Sequence, residues 1–262
     1  MEKVRTVLIT GANKGLGFGM VKELYKNSSQ KYKILLSARS EERGNQAVQE
    51  LKKIDAQNEV QFLQLEIGDF ESHKKAIQYL KENNIQIDVL VNNAGIALED
   101  QDSKCNDRVF QINYRGTIEF TKQIMELLSD DAKILFISST LGQLKNFDQN
   151  IQEILSQENI TESQINQFAQ EFIDGKFESK CYPLSKACLN AWIKNQGVKL
   201  LKPEQNMFII CPGWCRTDLG SQNAQKSIEE GISYPLELIN NYPYKRSERS
   251  GQFYTYGEKI DF

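Results

Sequence analysis

The amino-acid sequence predicts an α/β fold, in which a parallel β-sheet is covered by helices on both faces. Two observations predict it: short apolar runs alternate with longer runs of helical periodicity, and a glycine-rich turn joins the first strand to the first helix. Parallel strands need long crossover connections, which are usually helices. At 262 residues the chain is long enough for one large domain of this kind. We expect a single domain spanning residues 1–262.

The first strand and the turn after it predict a phosphate-binding site. The apolar run 4–10 is followed by Gly11, Gly15 and Gly17, and then by a helical pattern. Glycines let the backbone approach a phosphate closely, and the N–H groups at a helix N-terminus attract the anion. We therefore expect a Rossmann-like, doubly wound sheet that binds a dinucleotide here. In isolation, a tight turn before a surface helix would have the same pattern.

The remaining elements follow in order along the chain. Each strand is a short apolar or alternating run, and each helix repeats its apolar residues every three or four positions. The expected later strands are 32–38, 60–66, 87–91, 133–137 and 207–211, with a last short one at 253–254. The expected later helices are 41–54, 70–83, 105–128 and 182–201. The segment 219–234 is expected to be mobile, and the tail after Pro235 to be rich in turns.

A polar stretch at residues 144–178 interrupts this alternation. It is rich in Gln and Glu, and apolar residues recur at helical spacing around Ile151 and again around Phe168. Thr161 and Gln164 have the spacing of a helix N-terminal cap. The pattern predicts an inserted pair of short helices, which is part of the same domain.

Charge and hydropathy exclude several classes of partner. The net charge is −3, which gives no reason to expect binding to nucleic acid or to an anionic membrane surface. No apolar run approaches the roughly 18 residues of a membrane span. The N-terminus has neither the profile of a signal peptide nor that of a transit peptide. We expect a soluble, cytoplasmic protein.

The cysteines and the single histidine exclude other kinds of site. Five scattered cysteines contain no CxxC pair, so the sequence predicts reduced thiols and no zinc or other metal site. His73 is expected to be solvated at a polar helix start, which argues against a Ser-His-Asp triad. The glycine turn also lacks the Gly-Lys-Ser/Thr ending of a nucleotide triphosphatase loop.

Two basic residues favour NADP over NAD as the cofactor. Arg39 follows the second strand, about 20 residues past the glycines, where a dinucleotide site contacts the adenosine ribose. Lys14 stands inside the glycine turn. An arginine at the ribose position favours the 2′-phosphate of NADP. Each residue alone could be a solvated surface charge, but together they predict NADPH/NADP+.

A serine, a tyrosine and a lysine carry the predicted chemistry. Tyr182 and Lys186 lie one helical turn apart, so the ammonium is expected to lower the pKa of the phenol. Such a tyrosine can donate a proton to a carbonyl oxygen as hydride arrives, and Ser139 would hold that oxygen. Alone, the Tyr-x-x-x-Lys spacing also suits an amphipathic helix surface.

These motifs together resemble the short-chain dehydrogenase/reductase family, and within it the NADPH-dependent carbonyl reductases. The resemblance covers essentially the whole chain, with its motifs in the order of that family. They are Thr10-Gly-x-x-x-Gly-x-Gly17, Asn92-Asn-Ala-Gly95, Asn113, Ser139, Tyr182-x-x-x-Lys186 and Pro212-Gly213. The stretch Cys211-Pro-Gly-Trp-Cys-Arg-Thr-Asp218 and the long segment before Tyr182 resemble the carbonyl reductases in particular.

The resemblance implies roles at the matching positions. Tyr182 would be the catalytic acid/base, Lys186 would bind the nicotinamide ribose, and Asn113 would hold a water in the proton relay. Ser139 would position the substrate oxygen, and Trp214 would line the substrate pocket, although packing of its own loop explains Trp214 equally well. The implied cofactor contacts are Gly11, Asn13, Lys14, Gly15, Leu16, Gly17, Arg39, Glu66, Ile67, Asn93, Ala94, Gly95, Tyr182, Lys186, Pro212, Gly213, Cys215 and Thr217.

Two positions depart from the family pattern. Glu66 stands where an aspartate usually contacts the adenine. Cys215 replaces what is often an aliphatic residue, and it is either a buried small hydrophobe or a modifiable thiol near the cofactor.

The implied function is reduction of aldehydes or ketones to alcohols with NADPH. The alternative is a catalytically silent NADP-binding regulator of the same fold. The insertion is expected to cover the surface through which other family members form tetramers, so we expect a monomer. Phe147, Phe168, Trp214 and Leu219 indicate a partly apolar substrate pocket.

Overall fold

The computed structural model describes residues 3–26, 30–98 and 102–262. Within these ranges the chain forms one eight-stranded sheet in the order β3-β2-β1-β4-β5-β6-β7-β8. All neighbouring strands are parallel except β7 and β8. The strands are β1 (Arg5–Ile9), β2 (Tyr32–Ala38), β3 (Glu59–Gln64), β4 (Ile87–Asn92), β5 (Leu128–Ile137), β6 (Asn206–Cys211), β7 (Phe253–Thr255) and β8 (Glu258–Ile260). The predicted α/β class and mostly parallel sheet are confirmed.

Helices cover both faces of the sheet and enclose two apolar cores. One core joins the sheet to α1, α2 and α9, and the other joins it to α3, α4, α5, α6, α7 and α8. The helices are α1 (Gly15–Lys26), α2 (Glu41–Leu51), α3 (Phe70–Glu82), α4 (Ser103–Phe110), α5 (Thr117–Ile124), α6 (Gln149–Leu155), α7 (Glu162–Ile173), α8 (Cys181–Asn195) and α9 (Ile228–Asn240). No helix in the described ranges is long and apolar enough to cross a membrane.

The strand order places a crevice between β1 and β4. The chain runs outward from β1 to β2 and β3, and then returns to build β4, β5 and β6 on the other side of β1. The connections that follow β1 and β4 therefore diverge to opposite faces of the sheet. In open α/β sheets, ligands bind outside the carboxyl ends of the strands at such a switch point.

The predicted insertion is a pair of short helices, α6 and α7. Thr161 and Gln164 form the reciprocal N-terminal cap of α7 that their spacing predicted. The pair packs on α8, where the Trp192 indole donates to Glu162 Oε2 at 2.8 Å. Phe172 of α7 also packs on Phe110 of α4, with ring centroids 5.6 Å apart.

Two elements in the C-terminal part were not expected. The segment 219–234 and the turn-rich tail were predicted without a helix, but α9 occupies Ile228–Asn240. Ser227 and Glu230 form a capping box at its start, a signal that the sequence carries. The helix was not predicted because it contains Pro235, and a proline removes a backbone donor and usually ends or kinks a helix. The strand β8 was also missed.

The predicted helix 105–128 is divided into three helical segments that end at Ile124; a 3₁₀ turn follows at Met125–Leu127, and Leu128 already belongs to β5. The helix α4 passes into a π-helical segment at Gln111–Gly116, which then continues as α5. A wider π turn inserts one residue per turn and frequently occurs at functional sites. The periodicity of the sequence does not distinguish such a segment from a continuous α-helix.

His73 is buried, not solvated as expected. Its side chain is fully enclosed on α3, and its Nε2 lies 2.9 Å from the backbone carbonyl of Ile67. The rings of Phe70 and Phe120 pack against its edges. Burial lowers the pKa of His73, so the imidazole is neutral near pH 7.

Candidate active site

A cleft of about 1000 Å³ opens at the carboxyl ends of β1, β4, β5 and β6. Nearly all of the residues that the sequence singled out line it. The predicted catalytic and cofactor-binding residues that do not line it are Gly17 and Asn113, and Phe147 and Phe168 of the predicted substrate pocket do not line it either. No group of His, Cys, Asp and Glu in the described part of the chain could hold a metal ion.

The glycine turn is braced by the strand next to it. Gly11 has a φ of +62°, and a Cβ there would lie 2.9 Å from Ala94 Cα, so only glycine fits this position. Thr10 Oγ1 accepts hydrogen bonds from the backbone N–H groups of Asn93 and Ala94, at 2.9 and 3.0 Å. The Asn93 amide donates to Thr10 O at 2.8 Å. Asn93 therefore lies at the cleft, but its amide supports the turn.

The helix α1 begins within this turn and points its N-terminus at the cleft. The carbonyl of Lys14 accepts the first helical bond, from Phe18 N at 3.2 Å. The N–H groups before Phe18 therefore have no helical partner and are available to an anion. Gly17 instead lets α1 approach the neighbouring strand, since a Cβ there would lie 2.6 Å from Asn93 Nδ2.

Basic side chains surround one end of the cleft. Lys14 and Arg39 both line it, as expected, and both are exposed. Arg43 and Arg108 line it as well and were not singled out from the sequence. Arg43 could have been found, because Ser40 caps α2 and so places Arg43 in its first turn, at the same end of the helix as Arg39 in sequence.

Lys14 has a partner that the sequence did not indicate. Its Nζ lies 2.5 Å from Asp218 Oδ2, so an exposed ion pair crosses from the glycine turn to the segment after β6. The hydrogen bond from Lys14 lowers the pKa of the Asp218 carboxyl. Thr217, next to this aspartate, packs close to Gly15.

Ser139, Tyr182 and Lys186 meet at the bottom of the cleft. Ser139 follows β5, while the other two lie on the first turns of α8. The Ser139 side chain lies near enough to the Tyr182 phenol to lower its pKa. The Lys186 ammonium donates to Ile137 O at 2.9 Å and lies 5.8 Å from the centre of the Tyr182 ring.

The expected lowering of the tyrosine pKa is not seen in this state. Burial raises the pKa of Tyr182 to about 12, and the nearby Ser139 side chain opposes that rise only in part. Burial also lowers the pKa of Lys186 to about 8. The ammonium directs its hydrogen bond to a backbone carbonyl, so its effect on the phenol is smaller than spacing alone suggested.

Asn113 braces the wall of the cleft from the π-helical segment. Its Oδ1 accepts from Ile96 N at 2.8 Å, and its Nδ2 donates to Ile96 O at 2.8 Å and to Ser185 Oγ at 3.1 Å. The side chain is fully buried. A water on this side chain could use only the second lone pair of Oδ1.

The segment after β6 forms the far wall of the cleft. Cys215 is buried there, with Sγ 3.2 Å from Pro212 O, and burial raises the pKa of its thiol to about 11. These facts favour the buried-hydrophobe interpretation of Cys215 over the modifiable thiol. Thr217 Oγ1 accepts from Gly220 N at 3.1 Å and fixes the turn that follows.

Exposed apolar side chains surround the mouth of the cleft. Leu141, Trp214 and Leu219 are each about half exposed and line it. Phe147 and Phe168, which the sequence also suggested for the pocket, lie in the core instead. The mouth is therefore apolar as expected: Trp214 and Leu219 line it as predicted, whereas Leu141 takes the place of Phe147 and Phe168.

Two residues after β3 lie at the end of the cleft where the adenosine is expected. Glu66 and Ile67 line the cleft as predicted, and the backbone N–H of Glu66 donates to Ser72 Oγ at 2.9 Å. The Glu66 side chain is only half-buried, so it remains available to a ligand.

Comparison with known proteins agrees with this geometry. The family model described as short chain dehydrogenase matches residues 5–151. The (+)-neomenthol dehydrogenase of Arabidopsis thaliana is 32% identical over 90% of this chain and 92% of its own length. Carbonyl reductase [NADPH] 1 of Bos taurus is 31% identical over 88% of this chain and 89% of its own. The structure of salutaridine reductase from Papaver somniferum covers 95% of this chain and 99% of its own, with a TM-score of 0.84 and 27% identity.

Proposed function

The chain belongs to the short-chain dehydrogenase family, and from this premise we propose that it is an NADPH-dependent reductase of aldehydes and ketones. The observation that carries the proposal is the meeting of Ser139, Tyr182 and Lys186 in one cleft at the carboxyl edge of the sheet. Relatives named for NADPH-dependent carbonyl reduction support the choice of substrate class.

The cleft fits a nicotinamide dinucleotide along its length. The backbone at Gly11 and the N-terminus of α1 form a cradle for the pyrophosphate, with no side chain in the way. The exposed cations Lys14 and Arg39, together with Arg43, would hold the 2′-phosphate. The nicotinamide end would lie beside Lys186 and the segment Pro212–Thr217, and the bound cofactor would supply the hydride.

Tyr182 and Ser139 would handle the carbonyl oxygen. The phenol is protonated at neutral pH, since its pKa of about 12 lies well above 7, so Tyr182 can donate its proton to the oxygen as the carbonyl carbon is reduced. The Ser139 hydroxyl would donate a second hydrogen bond to the same oxygen and hold it.

Lys186 and Asn113 would support that proton transfer. Lys186 is buried beside the phenol, and its charge stabilises the phenolate that remains after donation. Asn113 fixes Ile96 at the wall and would hold a water that returns a proton from solvent. This relay is part of the proposal.

We also propose that the protein is a cytoplasmic monomer. The helices α6 and α7 cover part of the surface of α4 and α8: Glu162 of α7 accepts from the Trp192 indole of α8, and Phe172 of α7 packs on Phe110 of α4. A measured mass near the chain mass of 30.1 kDa in dilute solution is expected. A mass near twice that value would overturn the monomer.

A panel of carbonyl compounds, run in parallel with NADPH and NADH, tests the function. The Tyr182→Phe variant should lose turnover by about 10²- to 10⁴-fold, since proton transfer contributes that much, while NADPH still binds. Tyr114→Phe is a matched control, because Tyr114 is fully buried and its hydroxyl has no hydrogen-bond partner in the described structure. NADPH binding without reduction of any carbonyl would instead favour the silent regulator.

A further inference from the structure

A two-residue turn at the end of the sheet holds a tyrosine in a costly conformation. Thr255 of β7 pairs with Glu258 of β8, so Tyr256 and Gly257 alone connect the strands. Their φ angles are +48° and +85°. Hairpin turns with both φ values positive favour Asn-Gly, and a bulky residue at the first position is an outlier. Such strain, where it persists, suggests a function for the side chain.

The Tyr256 ring contacts the start of the segment after β6. A Cβ added to Gly213 would lie 1.6 Å from Tyr256 Oη and 2.7 Å from Cζ, so the end of the ring lies directly on the Gly213 backbone. Gly213 has a φ of +79°. Both its conformation and this contact therefore require glycine. The pairing of Thr255 with Cys211 brings the hairpin to this point.

The same ring also contacts the other end of that segment. The Lys226 ammonium lies 5.2 Å from the centre of the Tyr256 ring. The backbone of Lys226 donates to Trp214 O at 3.0 Å and accepts from Arg216 N at 2.9 Å. We call residues 213–226 the substrate loop. Backbone hydrogen bonds thus join the two ends of this loop, and the Tyr256 ring contacts both ends, at Gly213 and at Lys226.

The substrate loop presents its apolar side chains to the cleft. Trp214 is 53% exposed and Leu219 is 48% exposed, and both line the cleft mouth. Their position depends on how the loop is held at Gly213 and Lys226. The three atoms nearest to a Cβ at Gly213 all belong to the Tyr256 side chain.

We propose that Tyr256 is a positioning residue for the substrate: its ring fixes the substrate loop so that Trp214 forms one wall of the binding site. This inference rests on the proposed carbonyl reduction, and it adds that Tyr256 influences which sizes of carbonyl substrate bind well. Large apolar carbonyl compounds that reach Trp214 depend on Tyr256, whereas small aldehydes do not. Tyr256 itself does not line the cleft.

The Tyr256→Asn variant separates this role from a structural one. Asparagine suits the turn better than tyrosine, so the midpoint of thermal unfolding should stay the same or rise. KM for a bulky aromatic ketone should rise roughly five- to tenfold, the size of a lost cation–π and ring contact. kcat, the NADPH affinity and KM for a small aldehyde should not change. Tyr256→Phe keeps the ring and should restore the KM of the unmodified protein.

Tryptophan fluorescence gives a readout that needs no catalysis. The chain has two tryptophans, of which Trp192 is fully buried, so quenching by iodide reports Trp214. Tyr256→Asn should increase the quenching, because the loop is no longer held. Leu200→Asn is a matched control, since Leu200 is 41% exposed and lies outside the cleft.

The outcomes are distinct. Unchanged quenching and unchanged KM in Tyr256→Asn would overturn the proposal. A lower unfolding midpoint with unchanged KM would assign the ring to stability alone and overturn it as well. If the unmodified protein reduces no carbonyl compound, the proposed function fails, while quenching still decides whether Tyr256 holds the loop.

Discussion

The two ends of the sheet use charged residues in opposite ways. At the amino-terminal end, Arg5 donates to Asp88 at 2.8 Å and to both oxygens of Asp131 at 2.8 and 2.9 Å. At the carboxyl end, Arg39 and Arg43 stand exposed around the cleft. Charges at the first end pair with one another, whereas the Arg39 and Arg43 side chains form no ion pair with the described residues and are available to the proposed cofactor. The first arrangement stabilises the fold, and the second suits an anionic ligand.

The buried ammonium of Lys133, toward the amino-terminal end, is also fully hydrogen-bonded within the protein. It is fully buried on β5, and its ammonium donates to Leu238 O at 2.8 Å, Ile239 O at 3.1 Å and Tyr242 O. These carbonyls lie at the C-terminus of α9 and just beyond it, where a cation is favourable. The ammonium also lies 3.7 Å from the centre of the Tyr244 ring. A buried lysine here serves as a helix cap.

The largest expected effect is on stability, at Asp88. This carboxylate is almost fully buried and accepts from Lys3, Arg5 and the Thr6 backbone, at 3.0, 2.8 and 2.8 Å. Asp88→Asn should lower the free energy of unfolding by about 3 kcal/mol, because it leaves a half-buried guanidinium partly unpaired. Urea denaturation measures this change.

A cleft carboxylate provides the contrast. Glu66→Gln changes the same chemical group on a half-exposed side chain that lines the cleft. Its free energy of unfolding should change by less than about 0.5 kcal/mol. Equal destabilisation by the two substitutions would contradict the comparison of the two ends.

The next effect is on cofactor choice, at Arg39. Arg39→Gln should weaken NADPH binding about tenfold or more, because a hydrogen bond to a charged group contributes roughly 1.5–3 kcal/mol. NADH binding should not change, and adding Lys14→Met should erode the remaining preference. Fluorescence titration with both cofactors measures it. Arg115→Gln is the control, since Arg115 pairs with Asp107 outside the cleft, and an unchanged NADPH preference in Arg39→Gln would refute the assignment.

The sequence predicted the cleft better than the surroundings that support it. Motif residues such as Ser139 and Tyr182 follow strands or begin helices, and strand order alone brings those points together. The helix α9 was missed because local propensity at Pro235 argued against it, whereas packing of Leu238 and Ile239 in the core favours it. Tyr256 and Asp218 were missed because their contacts join distant parts of the chain. No local pattern encodes such contacts.

A smaller effect concerns pH and His73. Its pKa is lowered in the folded protein, so below about pH 6.5 the unfolded chain binds a proton that the folded chain does not. This contribution to stability is complete above pH 6.5 and is lost as the pH falls, by up to about 1.4 kcal/mol per pH unit. His73→Gln keeps a donor for Ile67 O and should flatten that dependence. Denaturation at pH 5 and pH 7 measures it, and an equal slope in both proteins would contradict it.

The smallest expected effect is on NADPH affinity, and it tests whether Lys14 leaves Asp218 to bind the cofactor. Their ion pair is exposed, and such pairs contribute about 0.2–1 kcal/mol. If Lys14 exchanges this carboxylate for the 2′-phosphate, Asp218→Asn should tighten NADPH binding by about 1.4- to 5-fold and leave NADH binding unchanged. In the Lys14→Met background the same substitution should have no effect, because nothing remains to be released. Additive effects would mean that Asp218 acts on the cofactor without Lys14, and weaker NADPH binding would mean that the pair retains the cofactor instead of competing with it.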